Sequence, residues 1–427
     1  MFDGSVITLV VLYLCAFGAY TLLHGRVGIS FFWLSAAVFL VYILPKFGAY
    51  LLTGDDVFLP GTAVLSQNTA NAAVVCITAF MATILVCYFT AVIVLPEGPA
   101  RVTMNRPLDP DQAASIGIWL FVPIFGLSFC AYWIAAQVSF DNLFAKRELI
   151  LDGDRTVAWA LQKIAQVVKA GLYLALLATL TVRDGRYNRH VLFLGALSVL
   201  VYVVSSQRSG ILVLALEIAL VFQIAGIMKP RHYLILAGSF VALNIAILSA
   251  RALDTAQAMY WSDMIYRRYF FDLEKIAALI EYFVSDPLYR FDSLGILVAG
   301  SNGIRPDYAT HHFLGEQVFG VASGVPPSVL GEMIIYGGPI SIVPVTAALT
   351  AIVIWFERCG RATGNPIMQL VLVVVLSKLY FLTLNSDFSS SINRIVLDLA
   401  LLGTGLAGYA LVGGRIDNGT ATRRIIQ

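Results

Sequence analysis

Four arginines and a histidine pair set the chemical question in this chain of 427 residues: Arg147, Arg208, Arg305, Arg394 and the adjacent His311 and His312. Arginine's planar fork of donors matches phosphate oxygens, and it keeps its charge when water is withdrawn, which an ammonium does less reliably. Several arginines converging beneath one loop therefore suggest a phosphate or pyrophosphate ligand, while each taken alone serves equally well as a lipid-headgroup anchor. Adjacent histidines point in different directions on any regular element, and no third ligand follows at a metal-binding spacing, so no metal site is expected. One of them packs or binds a carboxylate, or it acts as a general base, since an imidazole titrates near neutral pH.

A second group of ionisable residues lies inside apolar runs, where a charge is costly and each one is a functional hypothesis. Glu217 is seven residues past the Arg208-Ser209-Gly210 turn, a depth of about 10 Å at helical rise. Lys378 lies seven residues before Asn385, so the two stand at matching depth and are able to pair. Asp398 follows Arg394 by one helical turn and is placed to pair with it. Both pairs read as structural glue or as catalytic groups. Gln162, Gln166 and Lys169 recur at helical spacing, either as a snorkelling surface, the reading preferred here, or as the lining of a polar interior.

The elements that must hold these groups follow from composition. The chain is 59% hydrophobic and 13% charged, with mean hydropathy +0.81, whereas about a quarter of residues are charged in soluble domains. It reads as an all-α, polytopic membrane bundle. A net charge of +2, with no Lys/Arg-rich tract, excludes nucleic acid as a partner. Five cysteines, Cys15, Cys76, Cys87, Cys130 and Cys359, are scattered without metal-like spacing, and neither disulfides nor a structural metal is expected. Apolar stretches long enough to cross the hydrocarbon core number about eleven, within a range of ten to fourteen, near 6–22, 27–45, 71–95, 114–136, 158–181, 191–206, 211–228, 233–250, 328–355, 367–384 and 395–412. The first follows Asp3 rather than a basic region and reads as a retained span instead of a signal peptide.

Of the lysines and arginines in short loops, thirteen fall in one alternate set, including Arg183, Arg186 and Arg189, and six in the other, including Arg147, Arg208 and Arg394. The richer set is assigned to the cytoplasm. The chain is treated as one membrane domain, 1–427, into which a long loop, 251–327, is inserted on the non-cytoplasmic side. Within that loop Ser262 to Val284 predicts an amphipathic helix with Tyr269, Leu273, Ile276, Ile280 and Phe283 on one face and Arg268, Asp272 and Lys275 on another. It either closes over a site as a lid or floats at the headgroups.

Taken in order, short motifs add a resemblance. They are Lys146-Arg147-Glu148 ahead of a Gly-Asp turn, Ser206-Gln207-Arg208-Ser209-Gly210 between short spans, and the late loop. Beyond it come Pro326-Pro327-Ser328-Val329-Leu330-Gly331-Glu332 leading into Tyr336-Gly337-Gly338-Pro339, and Arg394 opening the last span. In this the chain resembles the bacterial O-antigen and oligosaccharide repeat-unit polymerases (Wzy-like), and more loosely the O-antigen ligases, membrane glycosyltransferases of the GT-C type. The resemblance implies a multi-pass protein of the bacterial inner membrane, active on the periplasmic face, that transfers a glycan from undecaprenyl pyrophosphate to a hydroxyl of another lipid-linked repeat unit. It implies no cofactor and no metal, with membrane lipids and a polysaccharide chain-length regulator as further partners. Under it, Arg208, Arg147, Arg305 and Arg394 bind the pyrophosphate, and Glu332, His311 and His312 are rival bases. At the head of a helix Glu332 would equally serve exposed amides and the macrodipole.

Two other functions stay open on these residues. An O-antigen ligase passes finished polymer to a different acceptor, although this chain lacks a single isolated histidine in the loop. A transporter or flippase for lipid-linked oligosaccharide would use Glu217, Lys378 and Asp398 for ion coupling, but no internal repeat or matched pair of interrupted helices accompanies them.

Overall fold

The computed structural model describes residues 4–24, 29–39, 67–94, 108–135, 155–204, 208–229, 272–285, 328–385 and 388–412, with Arg231, His232, Ile235 and Gly238. Among the described residues the regular structure is helical, with no strand. In chain order the α-helices are α1 (Gly4–His24), α2 (Phe31–Val38), α3 (Gln67–Val94), α4 (Pro110–Trp119), α5 (Phe121–Ala135), α6 (Arg155–Ala165) and α7 (Val168–Val182). They continue with α8 (Asn188–Val204), α9 (Arg208–Ile224), α10 (Asp272–Ser285), α11 (Ser328–Gly337), α12 (Ile342–Ala362), α13 (Pro366–Asn385) and α14 (Phe388–Leu411). A short 3₁₀ turn, Pro339–Ser341, leads into α12.

Among the described residues five stretches are long and apolar enough to cross a membrane: Thr69–Val94, Pro110–Ala135, Ala160–Val182, Pro339–Gly360 and Ser391–Leu411. Shorter apolar helices cover Gly4–Tyr20, Asn188–Val204, Gly210–Ile224 and Pro366–Tyr380. This is the pattern of a helical membrane protein, because helices satisfy their own backbone groups where no water is available. The expected span 233–250, apart from Ile235 and Gly238, and all of the long loop except α10 lie outside the described residues.

The chain clusters into two compact units. The first comprises Met1–Gly98, Met259–Glu357 and Lys378–Arg394, and the second Pro99–Ala258, Arg358–Ser377 and Ile395–Gln427.

In the first unit α1, α2 and α10 pack against α3, and α10 also packs against α11. Ser30 caps α2 by accepting from the Trp33 N–H at 3.3 Å. An aromatic cluster seals α1 to α2, with the Tyr20 and Phe32 ring centroids 4.5 Å apart. Ile276, Leu279 and Ile280 of α10 are buried, so the expected apolar face is present and used. Lys275, expected on the polar face, is buried too. A helix of 14 residues reaches about 21 Å, short of a full span, and its packing on α3 removes it from a merely floating position.

In the second unit α7 is the hub, buried from Val168 to Thr181. Two glycines explain how a helix becomes so enclosed. A Cβ on Gly117 would sit 2.8 Å from the Gly171 carbonyl oxygen, and one on Gly405 would sit 2.8 Å from the Ala170 carbonyl oxygen. Backbones of α4 and α14 thus meet that of α7 directly, at a distance only hydrogen side chains permit. Between α4 and α5 the ladder breaks at Leu120, because Pro123 has no N–H and its ring conflicts with the carbonyl four residues earlier.

One end of this unit is tied by hydrogen bonds. The Asp109 N–H donates to the Tyr409 hydroxyl at 2.9 Å, and the Tyr187 hydroxyl donates to Asp111 at 2.5 Å. Arg183 Nη2 donates to Gln369 at 3.3 Å, and Gln369 donates in turn to the Thr363 carbonyl at 2.7 Å. These bonds gather the start of α4, the end of α7, the starts of α8 and α13, and the end of α14. The start of α9, which follows the far end of α8, and Ile395, where this unit's part of α14 begins, therefore point to the opposite end.

Candidate functional site

Lys169, one residue inside α7, is a buried charge in the second unit. Its Nζ lies 3.1 Å from Glu217 Oε2 on α9 and 2.9 Å from Asp398 Oδ2 on α14, with all three side chains buried. Tyr173, one turn further along the same face of α7, donates weakly to Glu217 Oε2 at 3.4 Å. Its ring centroid is 5.4 Å from the Lys169 ammonium. Ser377 Oγ, on α13, donates to Glu217 Oε1 at 3.4 Å. Each ion withdrawn from water costs several kcal/mol unless geometry and hydrogen bonds offset it. An ammonium with three donors, set between two carboxylates on different helices, meets that condition.

One expectation is corrected: Gln162, Gln166 and Lys169 are buried, so the stripe lines a polar interior and is not a snorkelling surface. Lys169 meets both Glu217 and Asp398, a junction that sequence spacing had not offered. The signal available was the lysine itself, since an intramembrane ammonium requires a carboxylate somewhere.

The first unit has a separate buried carboxylate, Glu357 on α12. Its Oε1 accepts from the Phe31 N–H at the start of α2 at 3.1 Å and from the Tyr88 hydroxyl of α3 at 2.9 Å. It also accepts a short hydrogen bond from the Tyr380 hydroxyl of α13. An anion suits that place because the first N–H groups of a helix are unsatisfied and carry its positive pole. Glu357 lies two residues beyond the expected span 328–355 and was not among the sequence candidates.

Of the proposed ligands and bases, Arg147, Arg305, His311 and His312 lie outside the described residues. Arg208 is the first residue of α9, nine positions before Glu217, or about 14 Å along the axis. Arg394 lies in α14, one turn before Asp398. Glu332 is wholly buried, and it is the fifth residue of α11, just beyond the four orphan amides of the helix start. At the head of α11, Ser328 Oγ accepts from the Gly331 N–H at 3.4 Å.

Outside the spans, Tyr187 is displaced in its titration. Burial, and next the hydrogen bond to Asp111, pushes its phenol up to about 12.

No family model, curated protein or solved structure matches the chain.

Proposed function

We propose that this chain polymerises lipid-linked oligosaccharide repeat units on the periplasmic face of a bacterial inner membrane, as its resemblance to the Wzy-like polymerases implies. The observation that carries the reading is the bridge from Lys169 to Glu217 and Asp398. It joins α9, whose first residue is Arg208, to α14 at Asp398, one turn beyond Arg394. Arginines anchored on braced helices are preorganised for a diphosphate, and preorganised charge stabilises a leaving group without reorganisation at the moment of reaction.

In the reaction so assigned, the acceptor hydroxyl oxygen bonds to the anomeric carbon of the donor glycan as the bond to the pyrophosphate oxygen breaks. The diphosphate departs with the electron pair, stabilised by Arg208 with Arg147, Arg305 and Arg394. The hydroxyl proton passes to a base, for which Glu332, His311 and His312 are the candidates. The substrate is an undecaprenyl-pyrophosphate-linked oligosaccharide, and a chain-length regulator is a natural partner.

The test is deletion of the gene followed by electrophoresis of the surface glycan. A polymerase null keeps single-repeat product and loses the ladder. An unchanged ladder rules the reading out.

Transport of lipid-linked oligosaccharide is the second reading, and the same buried ion cluster favours it, because charges enclosed among apolar spans also serve ion coupling. Loss of single-repeat product together with the ladder selects that alternative. Ligation is separated by its product: a ligase null accumulates finished polymer on the carrier lipid.

A further inference from the structure

We propose that Lys169 is a positioning residue, which sets the depth of Arg208 by holding Glu217 at a fixed height in the bundle. Glu217 and Arg208 share one uninterrupted helix, α9, so any axial slip of Glu217 carries Arg208 with it. One turn of slip would displace the arginine by about 5.4 Å. Apolar ridges alone tolerate such sliding, since leucine and valine pack nearly as well one turn on. A buried ion pair resists it, because slipping separates two charges in a low-dielectric interior.

The placement of the lysine suits this role. It stands on α7, buried from Val168 to Thr181, where α4 and α14 are already locked to it by glycine contacts at Gly117 and Gly405. The contact with α9 has no comparable backbone lock among the described residues, and the 3.1 Å ion pair supplies one. Asp398 at 2.9 Å holds the ammonium from the other side, which fixes the lysine itself.

The consequence for catalysis rests on the reading of Arg208 as a pyrophosphate ligand, but the measurement does not. In a full-length chain with its five cysteines replaced by alanine, Arg208→Cys is labelled in intact cells with a membrane-impermeant maleimide. Against that background, Lys169→Met and Glu217→Gln are expected to change the labelling rate several-fold. Lys169→Arg, which keeps a charge able to span two carboxylates, is expected to leave it near the parent rate. Asp398→Asn, which spares the α9 contact, is expected to change it less than Glu217→Gln.

Equal labelling in Lys169→Met and the parent overturns the proposal, as does an equal change in Lys169→Arg. Failure of both Lys169→Met and Glu217→Gln to accumulate in the membrane also overturns it, since the lysine then serves folding alone. Glycan ladders from the deletion strain are scored separately, so a failed polymerase reading is recognised as such whatever the labelling shows.

Discussion

Lys169 shows how a single side chain departs from its compositional expectation. Near the start of a span a lysine ordinarily sends its ammonium to the headgroups, yet here the ammonium turns inward to two carboxylates. Removing it leaves both anions in a dry interior, so Lys169→Met is expected to cost about 3–5 kcal/mol, read as a lowered melting temperature in detergent. Ser377→Ala loses only a 3.4 Å contact to Glu217 and is expected to cost less than about 1 kcal/mol. Tyr187 carries a pH dependence. A phenol raised from the ordinary value near 10 to about 12 is favoured in its protonated form by folding. Its contribution is complete below pH about 10 and is lost as pH rises through about 12. Tyr187→Phe is expected to flatten that alkaline limb in a melting-temperature series. The loss of its bond to Asp111 is expected to lower stability by about 1 kcal/mol at neutral pH.

Among the elements, helix contacts of two kinds carry the packing. Where backbones touch, as at Gly117 and Gly171, any side chain must force the helices apart. Gly171→Ala is therefore expected to destabilise the second unit by about 1–3 kcal/mol, checked by thermal unfolding and by protease sensitivity. Where side chains reach across, one acceptor organises several helices: Glu357 takes hydrogen bonds from α2, α3 and α13. Glu357→Ala strands two buried hydroxyls and an amide, each worth about 1–3 kcal/mol, and is expected to reduce accumulation of the protein far more than Tyr88→Phe does. α10 adds a lesson about amphipathic sequence. Its periodicity announced a face for burial, and Ile276 and Ile280 occupy it, but nothing local to the sequence indicated that Lys275 would be enclosed as well.

On the scale of the whole molecule, the proposed function makes a demand on arginine chemistry. Arg208→Lys is expected to abolish the long-chain ladder while leaving the protein's abundance in membranes unchanged, because a point charge does not reproduce bidentate contact with phosphate. A normal ladder in that variant removes Arg208 from the mechanism. What the sequence by itself determined is the class of molecule and most of its helices. Lipid-soluble length and helical period are local properties, so Thr69–Val94, Pro110–Ala135 and Ser391–Leu411 were readable from residues near in the chain. The depth of Glu217 and of Asp398 was equally readable, since rise per residue is constant. Only the tertiary structure brought Lys169 to both. Lys169 is 48 residues from Glu217 in the chain and further still from Asp398, and a buried charge chooses among distant candidates by which helices touch. Glu357 follows the same rule, with hydrogen-bond donors 269 and 326 residues away. Hydrophobic burial is written one residue at a time, whereas the pairing of enclosed charges depends on the contacts between helices.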